Sequence, residues 1–196
     1  MNNDQPEWLK QALRGDQEAF GLLVDTYQRP VYNLCYRMLG DTGEAEDAAQ
    51  ETFWRAYQHG SRYDFDRPFM TWLLAIAAHY CIDQQRKKHL PSFSIDLMVE
   101  EMLPDPTPGP EKSTSKKEEA NLLQKVLAQL KSEDRAVIIL RYWYEMSEDE
   151  IAQTLSTTTS AVKSRLHRAR LMIAQQYKVP EAILASGGNS YEPSTL

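Results

Sequence analysis

The sequence predicts an all-α protein of two small helical domains joined by a Pro-rich flexible linker, the C-terminal one a helix-turn-helix. Three observations lead there. Apolar residues recur at steps of three and four over most of the chain. Glycine is scarce, 8 in 196 residues, and most stand near predicted helix ends or in the C-terminal tail, which argues against a sheet-rich fold. A proline-rich stretch without period divides the chain near its middle.

The first helix carries Phe20, Leu23, Val24, Tyr27, Val31, Leu34, Cys35, Met38 and Leu39 on one stripe. Pro30 removes a hydrogen bond from it, so a kink is expected rather than a change of element, and Gly40 ends it. Asp41 and Glu44 then offer a capping-box-like start to a helix reaching about His59, closed by Gly60. Ala45, Ala48, Ala49, Thr52, Phe53 and Ala56 share its inner face. Residues 61–68, SRYDFDRP, read as a loop with two aromatics and charges of both signs. A helix follows from about Phe69 to Lys88, with Phe69, Trp72, Leu73, Ile76 and Tyr80 inward. It ends on Arg86, Lys87 and Lys88, cations favoured at a helix C-terminus.

Residues 90–115 hold five of the ten prolines and no sustained period, which is linker composition. The predicted domains are therefore 1–89 and 117–178, with a linker over 90–116 and a polar, disordered tail over 179–196. In the second domain Leu122, Leu123, Val126, Leu127 and Leu130 mark one helix, and Ser132 begins another through Val137, Ile138, Leu140 and Trp143. Ser147 and Glu150 form a capping box opening a short helix with Ile151, Ala152 and Leu155 inward. After a polar break at residues 156–158, a long helix starts near Thr159 with Val162, Leu166, Ala169 and Ile173 inward. A short helix, a tight polar turn and a second helix with basic residues outward make a helix-turn-helix.

The net charge of −6 argues against a generic nucleic-acid binder, but the average conceals a pattern. Residues 158–178 hold Lys163, Arg165, Arg168, Arg170 and Lys178 and no acid, whereas residues 1–60 hold ten acids against five bases. A basic helix on an acidic protein points to DNA at one face and other partners elsewhere; the competing reading is a merely solvated basic helix. Cys35 and Cys81 lie in helical patterns without metal-ligand spacing, so they read as small buried apolar residues and no metal or cofactor is expected. Acid clusters such as Glu44, Glu46 and Asp47, or Glu148, Asp149 and Glu150, fall in first helical turns, where the helix dipole favours them. No HExxH, P-loop or dinucleotide glycine pattern occurs, so the chain does not read as an enzyme. The N-terminus lacks a basic segment followed by an apolar run, and no stretch of 18 apolar residues exists; a cytoplasmic location without membrane insertion is expected.

Residues 132–174, SEDRAVIILRYWYEMSEDEIAQTLSTTTSAVKSRLHRARLMI, resemble region 4 of the extracytoplasmic-function RNA polymerase sigma factors, a group of the sigma-70 family. Residues 47–57, DAAQETFWRAY, resemble region 2.2 of that family, and residues 67–88, RPFMTWLLAIAAHYCIDQQRKK, its minus-ten-reading segment. Two unrelated modules in the family's order, with a polar linker between, make the resemblance specific. It implies a factor that directs core RNA polymerase to specific promoters and assists strand opening. It also implies promoter DNA and an anti-sigma protein as partners, and a linker threading toward the RNA exit path.

The resemblance assigns Asp47, Gln50, Glu51 and Trp54 to the clamp helices of the polymerase. Trp54 among polar residues is a typical protein-contact anchor, the alternative being that it folds into the local core. Tyr63, Phe65 and Phe69 are candidate walls for a minus-ten base leaving its stack. His79, Asp83, Arg86 and Lys87 are candidates for its hydrogen bonds and phosphates. Phe69 and Trp72 also fit a purely structural role, and Trp72 reads better as core. For the minus-35 duplex the candidates are Thr159, Ser160, Lys163, Ser164, Arg165, His167 and Arg168, of which only one helical edge can face the groove. Two rivals remain: a dimeric regulator with a similar helix-turn-helix, and a degenerate sigma that only sequesters a regulator.

Overall fold

The element that organises the first half is a 23-residue helix, and its ends explain its length. In this computed structural model, which describes residues 6–89 and 114–177, Asp16 caps the helix by accepting a hydrogen bond from the Ala19 amide at 2.8 Å. Gly40 terminates it with φ 83°, the left-handed conformation a side chain would resist. This helix, α2 (Gln17–Leu39), is preceded by a short α1 (Glu7–Leu13) that the periodicity did not announce. Three of its seven residues, Leu9, Ala12 and Leu13, are buried, too few for a stripe to be recognised. Pro30 lies inside α2, which continues through it.

Helix α3 (Thr42–His59) starts as expected, with the Asp41 carboxylate accepting from the Glu44 amide at 2.9 Å. Its end corrects the sequence reading. Gly60 is right-handed, φ −55°, and the chain continues into a 3-10 turn over Gly60–Arg62. Glycine is required here by space rather than by φ, since a Cβ would lie 2.9 Å from the Leu13 carbonyl of α1. Helix α4 (Phe69–His89) completes the first module.

The second module comprises α5 (Thr114–Ala128), α6 (Ser132–Trp143), α7 (Glu148–Thr154) and α8 (Thr159–Tyr177). Helix α5 begins at Thr114, inside the segment expected as linker over 90–116, and the good helix formers Lys116, Lys117, Glu118, Glu119 and Ala120 that follow carry the helix across that boundary. The rest of the expected linker and the expected C-terminal tail from residue 179 lie outside the described residues. The capping box at Ser147 and Glu150 is present in both directions. The hydrogen bonds from the Ser147 amide and hydroxyl hold the Glu150 carboxyl below its ordinary range.

The buried residues of the two modules form one contiguous core. Helix α4 shows why. It packs against α2 and α3 of its own module and also against α6 and α7 of the other. Its buried doublets Leu73–Leu74, Ala77–Ala78 and Cys81–Ile82 recur every four residues, a stripe too wide for a helix covered on one side. Cys35 and Cys81 are both fully buried, as expected. Their thiols meet across α2 and α4, and the hydrogen bond that Cys81 donates to Cys35, with burial, pushes the Cys81 thiol far up.

Candidate protein and nucleic-acid interfaces

Trp54 occupies the outward face of α3 and is 56 % exposed, so it is not part of the core. It stacks on Tyr57, ring centroids 6.2 Å apart, and Tyr57 meets Phe20 of α2 edge-on at 5.0 Å. The three rings, with Val24, Gln50 and Phe53, line an open apolar groove of 540 Å³ between α2 and α3. Asp47 and Gln50 are exposed beside it, and Glu51 is ion-paired to Arg55 at 2.7 Å. The predicted residues of this face are thus brought together, and α2 adds a wall that the sequence reading missed. Its signal was available: Phe20 and Val24 head the apolar stripe of α2 yet stay half-buried because the stripe overhangs the core.

The aromatic loop is divided by burial. Tyr63 is 5 % and Phe69 2 % exposed, whereas Phe65 is 37 % exposed. Tyr63 donates its hydroxyl hydrogen bond to the Arg67 carbonyl and packs on Phe65, Phe69 and Trp72 at 4.9–5.3 Å. Burial, with smaller effects from Tyr27 and Asp64, pushes the Tyr63 phenol up to about 12. Phe69 also meets Tyr27 of α2 at 5.1 Å. Tyr63 and Phe69 therefore brace the loop from beneath, and Phe65 is the ring at its surface.

His79, Asp83 and Arg86 share one edge of α4, but His79 lies about 15 Å along the axis from Phe69 at the helical rise. The His79 Nδ1 is 2.8 Å from the Ala75 carbonyl, one turn back. Asp83 and Lys87 are exposed, and Arg86 is held by Glu133 of α6 with Asp83 at 3.9 Å. Those partners raise the Arg86 guanidinium above its usual range. Burial alone would raise Glu133, but hydrogen bonds from Arg86, its own backbone and Ser132 outweigh it and the carboxyl is held low.

On α8 the Thr158 hydroxyl accepts from the Ala161 amide at 3.1 Å, capping the recognition helix. Val162, Leu166 and Ala169 are buried, and Ser160, Lys163, Ser164 and His167 are exposed. Thr159 donates to Asp149 of α7 at 2.7 Å, Lys163 pairs with Glu148 at 3.7 Å, and Arg165 is half-buried beside Thr157 at 3.5 Å. Arg168 turns back to α6, gripping Asp134 with two bonds of 2.7 and 2.6 Å. The Asp134 side chain is only 3 % exposed, so this pair fixes α8 on α6, and it raises the Arg168 guanidinium. The exposed side chains along this helix are Ser160, Lys163, Ser164 and His167, with Arg168 also 54 % exposed beside its pair.

The family described as sigma-70 region 2 matches residues 23–90, and that described as sigma-70, region 4 matches residues 120–173. The chain is 38 % identical over 179 residues to the ECF RNA polymerase sigma factor SigW of Bacillus subtilis strain 168, covering 87 % of this chain and 95 % of that protein. The ECF RNA polymerase sigma factor SigL of Mycobacterium tuberculosis is 34 % identical, over 75 % of this chain and 82 % of SigL. Among solved structures, CnrH in complex with the cytosolic domain of CnrY superposes with a TM-score of 0.64 at 25 % identity, covering 87 % of this chain and 95 % of CnrH. RpoE of Bartonella quintana, solved with the anti-sigma factor NepR, shares the fold with a TM-score of 0.60 at 20 % identity, over 82 % and 97 % of the two chains.

Proposed function

Because the chain belongs to the sigma-70 family, in its extracytoplasmic-function group, and so directs RNA polymerase to specific promoters, we propose that three separate surfaces divide that work. The groove around Trp54, with Asp47, Gln50 and Glu51 at its side, docks the clamp helices of core polymerase. Phe65, on its base of Tyr63 and Phe69, stacks against a base of the opened minus-ten strand, and His79, Asp83, Arg86 and Lys87 guide that strand along α4. The open edge of α8, Ser160, Lys163, Ser164 and His167, reads the minus-35 duplex, with Thr159 and Arg165 at its margin. Arg168 positions the helix through Asp134 and is not a primary base reader.

The observation that carries the proposal is the pairing, in one chain, of an exposed aromatic groove on one module with a capped recognition helix on the other. Exposed aromatic anchors are typical of protein contacts, and a helix with basic and hydroxyl side chains at its start suits a major groove. The chain contributes recognition and no bond-making chemistry, and it acts where the polymerase does, in the cytoplasm. Among the described residues no helix is long and apolar enough to cross a membrane. An anti-sigma protein is the third partner of this reading; CnrH, 25 % identical, was solved bound to the cytosolic domain of CnrY. Transcription from a panel of promoter fragments with purified core polymerase tests the proposal. Transcripts that start at defined promoters only when this chain is added are expected; unchanged core activity would overturn it.

A further inference from the structure

We propose that Asp149 of α7 sets a base preference of the recognition helix. By taking the proton of the Thr159 hydroxyl it leaves Thr159 an oxygen that only accepts, so that the first turn of α8 reads an amino group, adenine N6 or cytosine N4, in the major groove. The inference rests on the reading of α8 as the minus-35 helix and adds to it a positioning residue from the neighbouring helix. The geometry is direct: the Thr159 hydroxyl donates to the Asp149 carboxylate at 2.7 Å, across the turn between α7 and α8.

A hydroxyl carries one proton and two lone pairs. Given to a carboxylate, the proton sits in a charge-assisted bond, roughly twice as strong as a neutral one. Both ends of that bond are held in place. The Ser147–Glu150 capping box opens α7 just ahead of Asp149, and the Thr158 hydroxyl caps α8 just ahead of Thr159. Ser164 supplies the contrast. It donates to the Ser160 carbonyl of its own helix at 3.0 Å, a neutral bond that a hydroxyl exchanges by rotating. Lys163 contrasts too, being drawn only loosely to Glu148. The ions are 3.7 Å apart with side chains 65 % and 37 % exposed, so the ammonium stays free to turn to DNA. Of these three polar residues on α8, Thr159 is the one whose hydrogen-bonding sense is fixed by a charged neighbour.

The consequence is selectivity. Phosphate oxygens, guanine O6 and N7 and thymine O4 all accept, and an oxygen with only lone pairs to offer bonds none of them. Adenine N6 and cytosine N4 are the amino donors of the major groove. An exposed carboxylate beside this helix also repels phosphates, which weakens binding to every sequence alike. What it contributes is discrimination, because a base that turns an acceptor toward Thr159 sets lone pair against lone pair.

The test measures holoenzyme, the full chain on core polymerase, against duplexes that carry each base in turn at each position of the upstream element. Wild type should favour A or C over G or T on one strand of one base pair by about tenfold. Asp149→Ala should cut that preference to about twofold, chiefly by tighter binding of the G and T duplexes, and leave the other positions unchanged. Thr159→Val should lose the preference at the same base pair and Thr159→Ser should keep it. Joining Asp149→Ala to Thr159→Val should do no more than Thr159→Val alone, as expected of two groups acting through one bond. If Asp149→Ala lowers the melting temperature, Thr159→Val against Thr159→Ser decides. An Asp149→Ala holoenzyme weakened equally on all duplexes would make Asp149 a mere brace and overturn the inference, as would a Thr159→Val preference equal to that of wild type. The two readings stay distinguishable. Wild-type holoenzyme with no preference at any upstream position overturns the reading of α8 itself, whereas preferences that ignore both substitutions overturn the role of Asp149 alone.

Discussion

More than half of the Trp54 surface is exposed, although its neighbours Phe53 and Ala56 are buried; the ring stacks on Tyr57 and lines the groove beside it. An exposed ring of this size contributes little to the fold and much to an interface that buries it. Trp54→Ala should therefore weaken binding to core polymerase by about 2 kcal/mol, about thirtyfold in Kd, with an unchanged melting temperature. Titration of labelled core by fluorescence, beside thermal unfolding, checks both halves; a lower melting temperature with full binding would return Trp54 to a structural role. The sequence made this residue legible because a tryptophan on the polar face of a helix has no other evident use. It could not tell Tyr63 and Phe69 from Phe65, since all three alternate through one short segment. Only the fold shows that α2 brings Tyr27 over Phe69, sealing two rings and leaving the third outside.

Helices were legible where caps and periodicity agreed, as at Asp41, Ser147 and the αL Gly40. The Ser147 cap supplies a test of how much local chemistry holds the helix-turn-helix. Ser147→Ala should cost about 1 kcal/mol, read as a shift of the denaturant midpoint at constant slope; no shift would mean that packing of Ile151 and Leu155 alone sets α7. Helix α1 escaped because seven residues hold less than two full periods, and the true end of α3 escaped because Gly60 answers to Leu13, 47 positions earlier. Functionally, α8 and the loop before α4 should separate in one experiment. Lys163→Ala should lower closed-complex formation and its salt dependence, while Phe65→Ala should spare that step and impair opening, by roughly 1–3 kcal/mol for a stacked base. Transcription on duplex and pre-melted templates reads this out: pre-melting should rescue Phe65→Ala and not Lys163→Ala, and equal rescue of both would dissolve the division between the two elements.

At the scale of the molecule, the sequence revealed two modules and a break between them but nothing of how they meet. The reason is distance along the chain. Arg135 and Met38 are 97 positions apart, and Tyr144 and Pro30 are 114 apart, whereas caps and stripes act within a few turns. One sign was present, since the apolar doublets of α4 demand cover on more than one side. Its meaning needed the second module in place. The joined form also bears on why this acidic chain should read DNA only as part of a larger assembly. Its net charge of −6 opposes phosphates over most of its surface, and Arg86, proposed above to guide the strand, is paired with Glu133. The most direct measurement is the affinity for a duplex promoter fragment, taken for the free chain and for the chain bound to core polymerase at one salt concentration. Weak, sequence-indifferent binding by the free chain and tight, promoter-specific binding by the complex is the predicted result; equal, tight and specific binding with and without polymerase would contradict it.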